Sequence, residues 1–316
     1  MTVAAVVIGR NEGARLIACL TSLAGTVARL VYVDSGSTDE SVAEAHKLGA
    51  EVVELDTRLP FTAARARNAG LTVLDGDTRL RFVQFVDGDC EMRPGWIATA
   101  EGFLSDHPKV AVVSGRLRER YPQATIWNRL ADEEWAVAPG EVKSCGGIAM
   151  MRLDALNEVG GFNPDMIAGE EPELCVRLRG AGWGVWRLEA EMSWHDAAMT
   201  RFSQWWQRCR RAGFTYAEGV AMHGGRPERH NVEKLRRTLF WGLGLPATVT
   251  LGALITPWAA MLGLLWPAQI LRLRGRGLRW SSAAFLMLAK FAETQGVLTW
   301  VWRQIRRRPA QLIEYK

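Results

Sequence analysis

Residues 82–89 read FVQFVDGD, an apolar and β-branched run that stops abruptly at Asp87-Gly88-Asp89. A run of this kind reads as a buried strand, and in an open α/β sheet ligands collect beyond the carboxyl ends of the strands. Two carboxylates one residue apart at that edge suit a divalent cation, Mg²⁺ or Mn²⁺, that bridges diphosphate oxygens. The same triplet occurs at Asp75–Asp77, but there it precedes the strand and reads as a turn. Position separates the two copies.

Working outward, Val3–Ile8, Leu30–Val33, Val52–Leu55 and Val110–Ser114 read as further strands. Between them lie helical patterns over Glu12–Ala24 and Thr62–Leu71, and one after Ser37, where Ser37 and Glu40 have the spacing of a capping box. This alternation predicts an α/β fold, a Rossmann-like and mostly parallel sheet with helices on both faces. Arg10, Asn11 and Glu12 follow the first strand and Asp34 ends the second, so both segments fall on the same edge as Asp87 and Asp89. Arg65, Arg67 and Asn68, in ARARNAG, are candidates for diphosphate or base contacts. The first strand is followed by GRNEGA, with no G-x-G-x-x-G and no P-loop, which disfavours a dinucleotide-dependent oxidoreductase. Further on, Glu170–Arg179 reads as a helix with Glu173 and Arg177 paired on its face, and Ala198–Val220 reads as another.

Composition sets the outer limits. With 48% hydrophobic and 23% charged residues in 316, the chain is not disordered. Five cysteines without a C-x-x-C argue against a disulfide framework or a Cys-rich zinc site and fit a reducing compartment. The opening MTVAAVVIGRNE lacks the basic start of a secretion signal. Charge is split along the chain: residues 226–316 hold 15 Lys and Arg against 4 Asp and Glu, leaving 24 against 30 before them. The basic residues are interleaved with apolar runs, which points to a membrane surface and not to nucleic acid. Thr238–Leu271 is a stretch of 34 residues without a formal charge, broken by Pro246, Pro257 and Pro267 and flanked by basic residues on both sides. It predicts an integral or re-entrant segment with both flanks on the cytoplasmic face of the plasma membrane. Ser281–Trp302 reads as an interfacial helix. The expected division is a catalytic domain over 1–225 and a basic, Trp-rich helical membrane-associated tail over 226–316.

The segments VVIGRNE, VDSGSTDES (33–41), ARARNAG (64–70), FVDGDCEM (85–92), CGGIAMMR (145–152) and GEEPELCVRLRGAG (169–182) follow one another in an order that resembles family 2 glycosyltransferases of the GT-A fold. The resemblance implies metal-assisted, inverting transfer of a sugar, of hexosyl type, from a nucleotide-diphosphate sugar, with UDP as the expected carrier. It implies that Arg10, Asn11, Glu12, Asp34, Arg65, Asn68, Asp87 and Gly88 bind the donor nucleotide. Asp89, with Asp87 and His195, would hold the metal. Gly146, Gly147 and Met150 would form a floor under the donor sugar and acceptor, with Trp205 and Arg208 nearby. The family's Glu-Asp pair stands here as Glu170-Glu171, which makes Glu171 the expected general base. The apolar tail adds a lipid-linked glycan acceptor in surface polysaccharide synthesis. Two other readings fit parts of the pattern: a nucleotidyltransferase, for which GRNEGA is a poor loop, and a catalytically inactive nucleotide-sugar-binding scaffold, which the retained carboxylates argue against.

Overall fold

The computed structural model describes residues 1–306, and the chain divides into two compact units, the first Met1–Met199 and the second beginning at Thr200. The last ten residues of the expected tail lie outside the described residues.

In the first unit β1 (Val3–Gly9), β2 (Arg29–Asp34), β3 (Glu51–Glu54), β4 (Phe82–Asp87), β5 (Cys90–Met92), β6 (Val110–Glu119), β7 (Gly140–Glu141), β8 (Ala149–Arg152) and β9 (Gly184–His195) form one sheet. Its order is β3-β2-β1-β4-β8-β6-β9-β5, with β7 also paired to β9. The helices are α1 (Ala14–Leu23), α2 (Ser41–Lys47), α3 (Ala63–Leu74), α4 (Trp96–Asp106), α5 (Ile126–Trp135), α6 (Leu153–Val159) and α7 (Glu170–Gly180). All five strands read from the sequence are present.

The sheet is mixed, with antiparallel strands set among the parallel ones. Strands β3, β2, β1 and β4 are parallel neighbours, whereas β8 runs antiparallel to both β4 and β6. Strand β9 is parallel to β6, and β5 and β7 run against it. Strand β8 is reached from β6 through α5 and β7, outside the strand–helix alternation that builds the parallel half. Short β-branched runs carry no direction, so the sequence pattern could not separate these cases.

Alternation along the strands builds a core on each face. Val3, Ala5, Val7, Phe82 and Val86 face Leu16, Leu20 and Leu23 of α1 and Trp96 of α4. Ala4, Val6, Ile8, Val83 and Phe85 face Ala66 of α3 and Leu174 and Leu178 of α7. Helix α3 begins where Thr62 accepts a hydrogen bond from the Arg65 N–H at 3.1 Å. The expected capping box at Ser37 and Glu40 does not form. Helix α2 starts four residues later, and the Ser37 hydroxyl accepts instead from the Asn11 N–H at 2.9 Å.

The second unit is helical: α8 (Phe202–His223), α9 (Val232–Leu239), α10 (Leu245–Ala253), α11 (Leu265–Gly275) and α12 (Trp280–Arg306), with a π-helical turn at Phe240–Gly244 and a 3₁₀ segment at Pro257–Leu264. It starts 26 residues before the boundary expected at 225/226, because α8 belongs to it. Trp205 of α8 packs against Phe285 of α12 with ring centroids 5.2 Å apart. Gly213 and Gly296 let the two backbones touch: a Cβ on either would lie 1.9 Å from a carbonyl oxygen of the other helix. Glu293 of α12 is buried with Lys290 at 2.7 Å and accepts from the Thr238 hydroxyl. The expected integral segment over 238–271 is broken into these short pieces. Among the described residues no helix is long and apolar enough to cross a membrane.

Helix α3 lies close on β1, and a Cβ at Gly70 would come within 2.3 Å of Val6 Cγ1. Gly70→Ala should therefore destabilise the protein, overpacking outweighing the better helix propensity by about 1–2 kcal/mol. Urea denaturation of the full chain checks this, and an unchanged or raised midpoint would contradict the close packing.

Candidate active site

The carboxyl end of β4, the N-terminus of α7 and the middle of α3 converge on one buried guanidinium. Arg67 lies on α3 two residues beyond Arg65 and so faces inward where Arg65 faces out. Its Nη1 is 2.6 Å from Glu170 and 2.9 Å from Glu171, and its Nη2 is 3.1 Å from Asp87. The Arg67 and Glu170 side chains are almost wholly buried, whereas Glu171 keeps partial access to solvent and Asp87 more. The Gly146-Gly147 pair runs beside this cluster. A Cβ on Gly147 would lie 2.7 Å from Arg67 Nη2, 2.9 Å from Asp87 Oδ2 and 3.0 Å from Glu171 Oε1, so only glycine fits between them. Gly146 is exposed with open space around it.

The local sequence explains the two glutamates. Gly169 adopts φ 77°, a left-handed conformation that turns the chain into α7, and Glu170, Glu171 and Pro172 form its first turn. Proline costs nothing there, where no N–H partner is needed, and carboxylates are favoured at that end by the helix dipole. Three carboxylates share one guanidinium, which leaves net negative charge when all are ionised. Burial and the neighbouring Glu170 push the Glu171 carboxyl up to about 7, against the opposing pull of Arg67. Arg67 itself is held cationic: burial disfavours its charge, but Glu171, Asp87 and Glu170 outweigh that and raise its pKa above the ordinary value.

A second constellation lies at the ends of β4, β6 and β9. The pairing of Cys90 with His195 in β5 and β9 sets Asp89 beside the imidazole, whose Nε2 is 3.4 Å from Asp89 Oδ2. Glu119, register partner of His195 across β6 and β9, puts Oε2 3.6 Å from the other ring nitrogen. Glu119 is buried and also accepts from Asn128 Nδ2 and the Ala197 N–H, both at 3.1 Å. Asp89, Cys90 and His195 can bring one ligand atom each within 4.8 Å of one another. A buried carboxylate and an imidazole, the latter backed by a second carboxylate, fit a divalent cation such as Mn²⁺ in donor type. Asp87, expected among the ligands, is turned to Arg67 instead.

The other expected donor-binding residues meet partners within the chain. Both oxygens of buried Asp34 are used: Oδ1 accepts from Tyr32 at 2.8 Å, and Oδ2 accepts from the N–H groups of Gly36 and Ser37 at 2.9 and 2.8 Å. Asn11 accepts from the Thr38 N–H at 2.7 Å and so ties the ends of β1 and β2 together. Glu12 is 2.7 Å from Arg15 and packs beside Gly9 and Gly88, where a Cβ would come within 3.3 Å of it. Arg10 is exposed at the same edge. Arg65 donates to the carbonyls of Asp56 and Leu59 and fixes the loop before α3. The Asn68 amide clamps Phe162, donating to its carbonyl at 2.7 Å and accepting from its N–H at 2.9 Å.

Two expectations are corrected. Met150 is no floor for a ligand: it sits on β8 between β4 and β6 and is fully buried in the core. Trp205 is packed inside the helical unit against Phe202 and Phe285, and Arg208 lies partly buried on the same helix. Arg67's bridging role and Glu119 were missed by sequence reasoning. Only a three-dimensional contact reveals either, although the two charges placed on opposite faces of α3 were visible.

Residues 4–160 match the model of Glycosyl transferase family 2. Pre-mycofactocin glycosyltransferases from two strains of Mycobacterium tuberculosis are 31% identical over 188 residues. That stretch is 55% of this chain but 38% of theirs, so the match spans less than two fifths of the curated relatives' length. Among solved structures, a mannosyltransferase from Pyrobaculum calidifontis in complex with GDP-Man and Mn²⁺ is similar over 94% of this chain and 87% of its own, at a TM-score of 0.63 and 19% identity. Glucosyl-3-phosphoglycerate synthase from Mycobacterium tuberculosis, in complex with phosphoglyceric acid, is similar over 72% of this chain and 81% of its own, at a TM-score of 0.53 and 20% identity. These structural likenesses show the GT-A-like α/β fold. The stretch 4–160 of this chain belongs to glycosyltransferase family 2.

Arg67→Met should cost about 3–5 kcal/mol at pH 8, because it leaves buried carboxylates without their counter-charge. The sign with pH follows: the freed carboxylates take up protons more readily, so acid relieves the repulsion and the loss shrinks toward pH 5.5. Urea unfolding of both proteins at the two pH values measures it, and an equal loss at both would show that the ion cluster is not the cause.

Proposed function

We propose that the chain is an inverting glycosyltransferase that moves a hexosyl group from a nucleotide-diphosphate sugar, UDP-linked, to an acceptor hydroxyl at the cytoplasmic face of a membrane. The observation that carries this reading is the placement of Glu171. It stands at the helix end facing Gly147 and Asp87, its carboxyl poised near neutrality. Family membership and the donor set at Asp89 and His195 support the same reading.

The residues divide the work as follows. Glu171 takes the acceptor proton on a carboxylate oxygen as the acceptor oxygen bonds to the anomeric carbon and the bond to the diphosphate breaks on the opposite face. A base poised near the working pH is the efficient one for such a transfer. Arg67 fixes that carboxylate and keeps a fraction of it ionised, while Glu170 raises its proton affinity. Gly147 lets Arg67, Asp87 and Glu171 pack together, and the open space at its exposed neighbour Gly146 is where the donor sugar is proposed to lie. Asp89 and His195 would hold a divalent cation, with Glu119 orienting the imidazole; such a cation neutralises charge on the departing diphosphate. The edge formed by Arg10, Asn11, Glu12 and Asp34 is the proposed nucleoside side. The acceptor is proposed to be a lipid-linked glycan intermediate, supported by the basic-flanked, uncharged stretch of the second unit.

Three outcomes test this. Glu171→Gln should abolish both transfer and donor hydrolysis while leaving nucleotide binding intact; retained turnover would remove Glu171 from the base role. In the wild type, activity should rise with pH through about 7 as Glu171 loses its proton. Glu170→Gln removes a charge that raises that carboxyl, so the rising limb should move to lower pH, and a shift upward would contradict the assignment. In thermal unfolding with UDP, GDP, CDP and TDP, each with and without Mn²⁺, UDP with Mn²⁺ should stabilise most, and Asp89→Ala should erase the metal-dependent part. A larger shift with another nucleotide would refute the UDP reading alone.

A further inference from the structure

Large apolar side chains are exposed in one short stretch of the helical unit. Leu254, Ile255 and Trp258 are 82%, 87% and 76% exposed, and Leu251, Met261 and Leu264 beside them are also open to solvent. They span the last turn of α10, the bend at Leu254 and Ile255 and the 3₁₀ segment that begins at Pro257, so they form the tip of a folded-back structure and not the side of a long helix. The tip is firmly based. Trp266 of α11 packs on Phe291 of α12 with centroids 6.0 Å apart, and the Thr238–Glu293–Lys290 network secures the other end.

The charges around the tip all have one sign. No acidic residue occurs between Glu233 and Glu293, while Lys234, Arg236 and Arg237 precede the uncharged stretch and Arg272, Arg274, Arg276 and Arg279 follow it. All seven side chains are exposed. Exposed Trp280 lies 6.0 Å below the Arg274 guanidinium, and exposed Trp302 lies 4.1 Å from that of Arg306. An apolar tip, tryptophans paired with arginines, and a collar of cations match a bilayer surface with anionic headgroups. Helix α10 has nine residues and α11 eleven, about 14 and 17 Å at 1.5 Å per residue, against a hydrocarbon core of about 30 Å.

We infer that residues 251–265 form a monotopic wedge that inserts Leu254, Ile255 and Trp258 into one leaflet of an anionic membrane, with Arg272, Arg274, Arg276 and Arg279 at the headgroups. This rests on the membrane-face reading above and makes it specific: one leaflet is entered, none is crossed.

The test is co-sedimentation of the full chain with vesicles of phosphatidylcholine alone and with about a third phosphatidylglycerol, at low and high salt. The wild type should bind the anionic vesicles, more weakly at high salt. The double variant Leu254→Asp/Ile255→Asp should bind at least tenfold more weakly, while keeping the wild-type unfolding temperature and nucleotide-induced shift. Arg272→Gln/Arg274→Gln should lose the preference for anionic lipid. Equal binding by wild type and the tip variant would overturn the wedge but leave the membrane-face reading standing. Binding to no vesicle would overturn both. A wild type that is a dimer in solution, dispersed to monomer by the tip variant and indifferent to vesicles, would assign the tip to a second copy of the chain instead.

Discussion

A single buried guanidinium governs the first unit of the chain. Arg67 of α3 meets Asp87 from the end of β4 and Glu170 and Glu171 from the start of α7, all within 3.1 Å. Bringing three carboxylates together out of water is costly, and only a cation paired with all of them makes the arrangement tenable. The rest of the sheet edge follows from it. Gly147 must lack a side chain because the cluster fills that space, and Gly169 must turn left-handed to aim the first turn of α7 at Arg67. Imperfect neutralisation is itself useful, because one positive charge against three negative ones leaves the Glu171 carboxyl poised near neutrality.

Asp87 and Asp89, one residue apart, serve separate constellations. A strand sends alternate side chains to opposite faces, and the Asp-Gly-Asp turn after β4 changes that direction so that Asp87 meets Arg67 while Asp89 meets His195. In the proposed reaction, proton transfer and diphosphate neutralisation fall to adjacent but chemically distinct groups. The second carboxylate behind His195, Glu119, resembles the support that metal-binding imidazoles commonly have.

Much of this was legible in the sequence. The runs at Val3–Ile8 and Phe82–Val86 sit on the central strands β1 and β4, and the Asp-Gly-Asp following the second lies on the edge where the cluster forms. The Glu170-Glu171 pair was legible through its place in an ordered series of motifs. Arg67's bridging was not, because its partners lie 20 and more than 100 residues away and no local pattern encodes such contacts. Strand direction was equally hidden: β8 is four residues long, and AMMR reads the same whichever way it runs. The second unit shows the reverse problem. Its uncharged run has the length of a membrane span, but proline and glycine divide it into helices too short to be one, and α8 joins it because glycine contacts, invisible to periodicity, press α8 against α12.

The measurement that bears most directly on the central claim is the structure of the full chain with Mn²⁺ and UDP bound. Arg67 should remain between Asp87, Glu170 and Glu171, with the metal on Asp89 and His195 and Glu171 open toward the space beside Gly146. An Arg67 side chain that leaves the carboxylates to bind the diphosphate would contradict the account, for Glu171 would then owe neither its position nor its proton affinity to that guanidinium.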